Sequence, residues 1–132
     1  MSFLLDTCSV SDYFKRVGMT YERFQAHPPH RLAITTITEH ELRFGLALKP
    51  GATRLAASVR SLLQLIDILP FDRRDAAASA QVRAQLSKTG KPIGDLDSLI
   101  AGVALARDLI LVTANEKEFA RVPGLLIENW RN

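Results

Sequence analysis

The sequence predicts an α/β domain with a mainly parallel central sheet flanked by helices. Short apolar runs such as 32–35 and 109–113 have the length and composition of buried strands. Segments with apolar residues at helical spacing separate these runs along the chain. Strands that alternate with helices favour parallel pairing, because each connection then crosses back over the sheet. In such folds, functional sites form beyond the carboxyl ends of the strands.

The N-terminal half begins this alternation. The run from Ser2 to Leu5 predicts a strand that ends at Asp6, and the amphipathic helix after it ends at Gly18. The further elements predicted before Pro70 are a short helix over 21–25, a strand over 32–35, a helix from Thr38 to just before Pro50, a helix over 53–65 and a strand over 66–69.

The C-terminal half is organised around the segment 91–102. Before it, Asp72 is placed to cap an Ala-rich helix that runs to about Lys88. After a Pro/Gly turn, we expect Asp95 to cap the next helix, leaving Asp97 off an apolar stripe that anchors the helix in the core and consists of Leu96, Leu99, Ile100 and Val103. The remaining predicted elements are a strand over 109–113, a short helix over 115–119 and a last strand over 125–127.

Composition indicates one cytoplasmic domain over residues 1–132. The chain is 47% hydrophobic and 23% charged, as is ordinary for a globular domain with its own core. Its single cysteine, Cys8, excludes an internal disulfide and fits a reducing cytosol, and neither a signal peptide nor an apolar run of about 18 residues is present. The net charge of +3 permits a nucleic-acid partner without requiring one.

Polar side chains follow several of the predicted strands. Asp6 follows the first strand, Glu41 lies in the helix after the second, and Asp97 lies in the first turn of its helix. Asn115 and Glu118 follow the strand over 109–113. We therefore expect these five residues to meet at one edge of the sheet. Oxygen donors without a His or Cys cluster suit Mg²⁺ or Mn²⁺, and such an ion activates water against a phosphodiester.

Each of these residues also has a purely structural interpretation. Thr38-x-x-Glu41 and Asn115-x-x-Glu118 both have the form of a capping box, and Asp6 can cap its own helix. An aspartate in a first turn, such as Asp97, can simply complement the helix dipole.

Other reactive side chains are weaker candidates. Cys8 is expected to be a small packed residue, because no histidine is placed to activate it. Lys88 and Lys91 flank the loop that leads to Asp97, where they contact either phosphate or solvent.

Several segments together resemble PIN-domain proteins of the VapC toxin type, in order and over nearly the whole chain. The segments that carry the resemblance are 4–7, 41–45, 92–101, 111–119, 121–125 and 128–130. The resemblance implies a PIN-like three-layer sandwich and an endoribonuclease that depends on Mg²⁺ or Mn²⁺. It also implies the toxin of a toxin–antitoxin pair, which cleaves tRNA or another structured RNA and forms a homodimer inhibited by a small antitoxin.

The resemblance also assigns roles. Asp6, Glu41 and Asp97 match the family's acidic metal site, with Asp6 and Asp97 as direct ligands and Glu41 acting through water or on a second ion. Glu118 matches a further acidic position.

The chain departs from the family pattern at three positions: Cys8 replaces a common Asn, Val103 a common His and Asn115 a common Asp. Asn115 still offers an oxygen or orients water, but it adds no charge, so a second ion would be weakly held.

Alternatives for the partner surface and for the function stay open at this point, and one of them is a basic groove near Asp97 that accepts an antitoxin tail and so blocks RNA. The aromatic residues Tyr13, Phe14, Tyr21 and Phe24 either line an apolar groove for an antitoxin helix or pack in the core. Because of Asn115, the alternative to a nuclease is a catalytically weak or inactive RNA-binding module. A receiver-type phosphoacceptor is disfavoured, since Asp6 is not paired with a second acid and Lys117 is poorly placed.

Overall fold

A computed structural model describes residues 2–132, and it has five parallel strands in the order β3-β2-β1-β4-β5. The strands are β1 (Phe3–Leu5), β2 (Leu32–Thr35), β3 (Asp67–Leu69), β4 (Ile110–Val112) and β5 (Ile127–Glu128). The helices are α1 (Thr7–Lys15), α2 (Thr20–Gln25), α3 (Thr36–Leu48), α4 (Thr53–Leu65), α5 (Arg73–Lys88), α6 (Asp95–Ala106) and α7 (Glu116–Phe119). A 3-10 turn over Pro29–Arg31 leads into β2.

The sheet has a hydrophobic layer on each face. Along β1, Leu4 faces one layer while Phe3 and Leu5 face the other, as the alternation of side chains in a strand requires. Helices α5 and α6 cover the first layer, and α1, α2 and α4 contribute to the second, where Trp130 is also buried. The predicted α/β sandwich with a parallel sheet is therefore confirmed.

Several element boundaries agree with the sequence predictions. Strand β2 and helix α4 span the predicted residues. Helix α5 is capped by Asp72, whose carboxylate accepts from the Asp75 N–H while the Asp75 carboxylate accepts from the Asp72 N–H.

The predicted start of α3 near Thr38 is wrong, because the helix begins at Thr36, directly after β2. Thr35, at the end of β2, caps the helix by accepting from the Thr38 N–H at 3.0 Å. Thr38 is therefore inside the first turn, and the Thr38-x-x-Glu41 capping box, the structural alternative for Glu41, does not form. Glu41 lies in the second turn with its carboxylate free for another contact.

Helix α6 differs from the prediction at its cap and its buried face. Gly94 is the N-cap and Asp95 is the first helical residue, where its carboxylate pairs with Arg83 at 3.2 Å. Of the predicted stripe, Ile100 and Val103 are buried as expected, whereas Leu96 is 43% exposed and does not anchor the helix. The buried face also includes Gly102, which packs on α5, where a Cβ on it would lie 2.5 Å from the Cβ of Ser79.

Within residues 2–132, none of the helices has the length and apolar character needed to cross a membrane.

Candidate active site

Asp6 lies at the carboxyl end of β1 and is 3% exposed. Its carboxylate caps α1 by accepting from the Ser9 N–H at 2.8 Å, so the capping role considered from sequence is real. Burial raises the pKa of Asp6, while the Thr113 hydroxyl and the Ser9 hydrogen bond oppose the rise. The cap uses Oδ1, and this does not remove the carboxylate from the edge of the sheet.

Glu41 is held towards Asp6 by the residue that follows Asp6. The Thr7 hydroxyl donates to Glu41 Oε1 at 2.6 Å and also lies 3.2 Å from the Thr38 hydroxyl. This contact joins α1 to α3 across 34 residues of sequence. Sequence reasoning missed Thr7 as a positioning residue, and the only available signal was a hydroxyl next to the strand-end acid.

Asp97 occupies the third position of α6 and is half-buried. Burial, followed by the negative charges of Asp6, Glu118 and Glu41, raises the pKa of Asp97 from 3.8 to about 6. The three carboxylates that affect Asp97 come from β1, α7 and α3. The parallel sheet thus brings together acids that are far apart in sequence.

Asn115 and Glu118 complete the cluster. The Asn115 side-chain N–H₂ donates to Glu118 Oε2 at 3.0 Å, and the Asn115 backbone N–H donates to the Thr113 hydroxyl at 2.9 Å. Asn115 is the N-cap residue of α7, but its side chain makes no capping hydrogen bond. The capping interpretation of Asn115-x-x-Glu118 is therefore wrong, and the pair links the loop after β4 to α7.

None of the four acids has a cationic partner in the part of the chain that the structure describes. Within residues 2–132, no Lys, Arg or His forms an ion pair with Asp6, Glu41, Asp97 or Glu118. The hydrogen bonds that hold three of them come from neutral groups: a backbone N–H, a threonine hydroxyl and an asparagine amide. Neutral donors fix a carboxylate without cancelling its charge, so the cluster keeps its attraction for a cation.

The cluster is open and is not a closed cage. No group of three or more His, Cys, Asp or Glu side chains in the described part of the chain is arranged to hold a metal ion. Mg²⁺ commonly binds through one or two carboxylates and keeps several waters, so the residues fit a hydrated hard cation.

Cys8 lies beside this cluster and is exposed, so the prediction of a packed thiol is wrong. It follows Thr7 on the outer side of α1, whereas Ser9 and Val10 are the residues that α1 turns inward. Partial desolvation and the charges of Asp6 and Asp97 raise the pKa of the Cys8 thiol. The thiol is therefore protonated at neutral pH and is a poor nucleophile.

Comparison with known proteins gives concordant matches. The family model described as "PIN domain" matches residues 3–125. The tRNA(fMet)-specific endonuclease VapC of Salmonella typhimurium is 35% identical over 131 residues, which cover 98% of both chains.

Solved structures match over the same length. VapBC2 from Rickettsia felis, bound to a DNA fragment from its promoter, has a TM-score of 0.90 at 29% identity, with 98% of this chain and 99% of that chain covered. VapBC-5 from Mycobacterium tuberculosis, a member of the VapBC family of toxin–antitoxin systems, has a TM-score of 0.74 at 27% identity and covers 99% of this chain and 98% of that chain.

Proposed function

The chain belongs to the PIN-domain family and is a toxin ribonuclease of the VapC type, and from this premise we propose that its activity depends on Mg²⁺ or Mn²⁺ held by the acidic cluster. The observation that carries the proposal is the absence of any ion pair to Asp6, Glu41, Asp97 or Glu118 within residues 2–132. The negative charges of Asp6, Glu118 and Glu41 disfavour the ionised form of Asp97 in the metal-free fold, and a bound divalent cation offsets that repulsion.

Each residue then has a role. Asp6 and Asp97 are the direct ligands, and Glu41, fixed by Thr7, acts through water or on a second ion. When bound, the ion supplies an activated water and neutralises charge that develops on the phosphodiester. Asn115 commits its amide N–H₂ to Glu118, which leaves its carbonyl oxygen to accept from water.

The substrate we propose is RNA, with initiator tRNA as the first candidate, because the Salmonella relative is a tRNA(fMet)-specific endonuclease. The activity of that relative, which aligns over 98% of this chain, disfavours the alternative of an inactive RNA-binding module. We also propose that residues 1–132 act as one nuclease domain in the cytoplasm, as a homodimer.

For the antitoxin partner we propose a groove between α1, α2 and α4. An open cavity of about 410 Å³ there is lined by Tyr13, Phe14 and Tyr21 together with residues of α4. The Arg16 guanidinium covers the Tyr21 ring at 4.0 Å from its centroid. Phe24 is 2% exposed and belongs to the core, so three of the four aromatic side chains singled out in the sequence line the groove. An apolar helix face fits a groove of this kind.

The proposed function is tested by incubating an initiator-tRNA transcript and bulk bacterial tRNA with the protein in Mg²⁺, in Mn²⁺ or in EDTA. Wild type should cleave only with metal, and Asp6→Ala should not cleave. A thermal melt gives a second readout, since Mn²⁺ should raise the melting temperature of wild type and not of Asp6→Ala. Cleavage that persists in EDTA, or equal cleavage by Asp6→Ala, would overturn the metal mechanism.

A further inference from the structure

A basic cavity lies between the segment around α7 and the loop over 89–94. It encloses about 400 Å³ and is lined by Leu86, Thr89, Lys91, Lys117, Ala120 and Arg121. Its lining carries three cationic side chains and no acidic one. Within residues 2–132, none of these three cations forms an ion pair.

The acidic and the basic side chains of α7 point in different directions. Glu116 accepts from the Asn129 amide at 3.2 Å, and Glu118 accepts from the Asn115 amide at 3.0 Å. Both acids of α7 are therefore held outside the cavity, while Lys117 lines it. One face of the short helix thus completes the acidic cluster, and another supplies positive charge beside it.

The other wall of the cavity is fixed to α7 by Arg121. Its guanidinium donates to the Pro92 carbonyl at 3.1 Å, which joins the segment just after α7 to the loop that leads into α6. Lys91 lies just before Pro92, and Asp97 lies in the first turn of α6. The cavity is therefore lined by the end of α5, by the loop that leads to Asp97 and by the segment around α7 that carries Glu118.

We propose that this cavity is a phosphate-binding subsite for the RNA substrate, which holds the backbone next to the phosphodiester at the acidic cluster. The inference rests on the proposed function and adds where the RNA strand lies as it approaches the acidic cluster. Lys91 and Lys117 neutralise a backbone phosphate, and the aliphatic surfaces of Leu86 and Ala120 form the floor. An open cavity lined by separate cations suits an extended polyanion and reads no base sequence.

The test measures RNA binding apart from cleavage. Fluorescence anisotropy of a labelled initiator-tRNA transcript in EDTA gives Kd over a series of KCl concentrations for wild type and for Lys91→Ala/Lys117→Ala. The double variant should bind roughly tenfold more weakly, and its slope of log Kd against log salt should fall by about two. Arg121 is left in place because it also holds the loop.

A matched control removes the same charge elsewhere. Arg54 and Arg60 are exposed on α4, which packs beside β3 at the opposite edge of the sheet from β5. Arg54→Ala/Arg60→Ala should bind RNA within about twofold of wild type, since net charge alone has only a modest effect. Lys91→Arg/Lys117→Arg should restore binding, because phosphate needs the charge and not the lysine itself.

Cleavage in Mg²⁺ separates this inference from the proposed function. For the lysine variant, KM should rise about tenfold with little change in kcat, as expected for lost binding energy. If wild type binds through the two lysines but cleaves nothing, the subsite stands and the nuclease mechanism fails. If wild type cleaves and the lysine variant binds RNA like the arginine control, the subsite fails. Displacement of the RNA by poly-glutamate at equal charge would also overturn it, since the cavity would then suit an acidic protein segment.

Discussion

Asp75 and Asp97 occupy the same helical position in opposite electrostatic surroundings. Each is the third residue of its helix, Asp75 in α5 and Asp97 in α6. Asp75 is fully buried and accepts from Arg107 at 2.9 and 3.2 Å and from the Asp72 N–H at 2.9 Å. Asp97 has no cationic partner among the described residues and faces three other carboxylates.

The comparison shows that the neighbouring charge, and not helix position, decides the state of each acid. Burial raises the pKa of Asp75, but the Arg107 and Asp72 hydrogen bonds outweigh it, so the pKa lies below its ordinary value. At Asp97, burial and like charges act in the same direction and raise the pKa to about 6. Asp75 is thus paired with a cation inside the protein, whereas Asp97 has no such partner among residues 2–132.

The largest expected effect is on activity, in Asp97→Asn. RNA cleavage should fall at least about a thousandfold, because a charged ligand of the cation is lost. The melting temperature of the metal-free protein should rise or stay unchanged, since one of four like charges is removed. Cleavage assays and melts in EDTA measure the two effects. A clear drop in the metal-free melting temperature would mean that the acids do not repel one another.

Asp75→Asn should have the opposite effect to Asp97→Asn, lowering stability while activity is retained. The free energy of unfolding should fall by about 3 kcal/mol, because Arg107 loses its buried partner. Activity per folded molecule should be retained, since Asp75 makes no hydrogen bond to the acidic cluster. Urea denaturation measures the change, with Arg74→Ala as control. The exposed ion pair of Arg74 with Asp72 should contribute no more than about 0.5 kcal/mol, so an equal loss in both variants would contradict the comparison.

Thr7→Val tests whether a neutral donor positions Glu41. Loss of the 2.6 Å hydrogen bond should lower kcat about tenfold, because a hydrogen bond to a charged group is removed while the side-chain volume is kept. Thr7→Ser keeps the hydroxyl and should retain most of the activity. Steady-state kinetics on the RNA substrate measure both variants. If the valine variant has normal kcat, Thr7 does not position Glu41.

The smallest expected effect is a pH dependence of the metal-free protein. Because the folded-state pKa of Asp97 is about 6 and its ordinary value is 3.8, the folded state binds this proton more tightly. Stability should therefore fall as pH rises from about 4 to about 6, by about 1 kcal/mol after allowance for solvent screening of a half-buried group. Asp75 acts oppositely, since its lowered pKa gives stability that is lost only as pH falls below its ordinary range.

Urea denaturation in EDTA between pH 4.5 and 7.5 measures this dependence. Asp97→Asn should flatten the fall, and Mn²⁺ should abolish it in wild type. An unchanged slope in the variant would place the titration on another group.

Local sequence signals predicted most of the secondary structure. Helix α4 and strand β2 have the predicted bounds, and the cap at Asp72 forms as expected. Such signals succeed where apolar periodicity and a capping residue agree, because both act within a few residues. The positions of Asp6 at the end of β1 and of Glu118 in the helix after β4 were likewise readable, since parallel strands direct their carboxyl ends to one edge.

The signals failed where two local choices were nearly equivalent. Threonines at 35 and 38 can each start α3, and the end of β2 in the sheet selects Thr35. Helix α6 is apolar over most of its surface, so periodicity could not identify the face that packs on α5 at Gly102. The prediction that Cys8 is packed failed for a similar reason, because residue type alone does not fix which side of α1 faces the core.

The sequence by itself determined the α/β class, the order of the elements and the five residues that meet at the carboxyl edge of the sheet. Only the tertiary structure decided which acids are neutralised and which are not. Helix position does not distinguish Asp75 from Asp97, since each follows its N-cap by three residues, although only Asp75 belongs to a capping box. Arg107 reaches Asp75 across 32 residues of sequence, whereas the chain brings Asp6, Glu41 and Glu118 to Asp97. Electrostatic energy depends on distance in space, and the fold alone sets those distances.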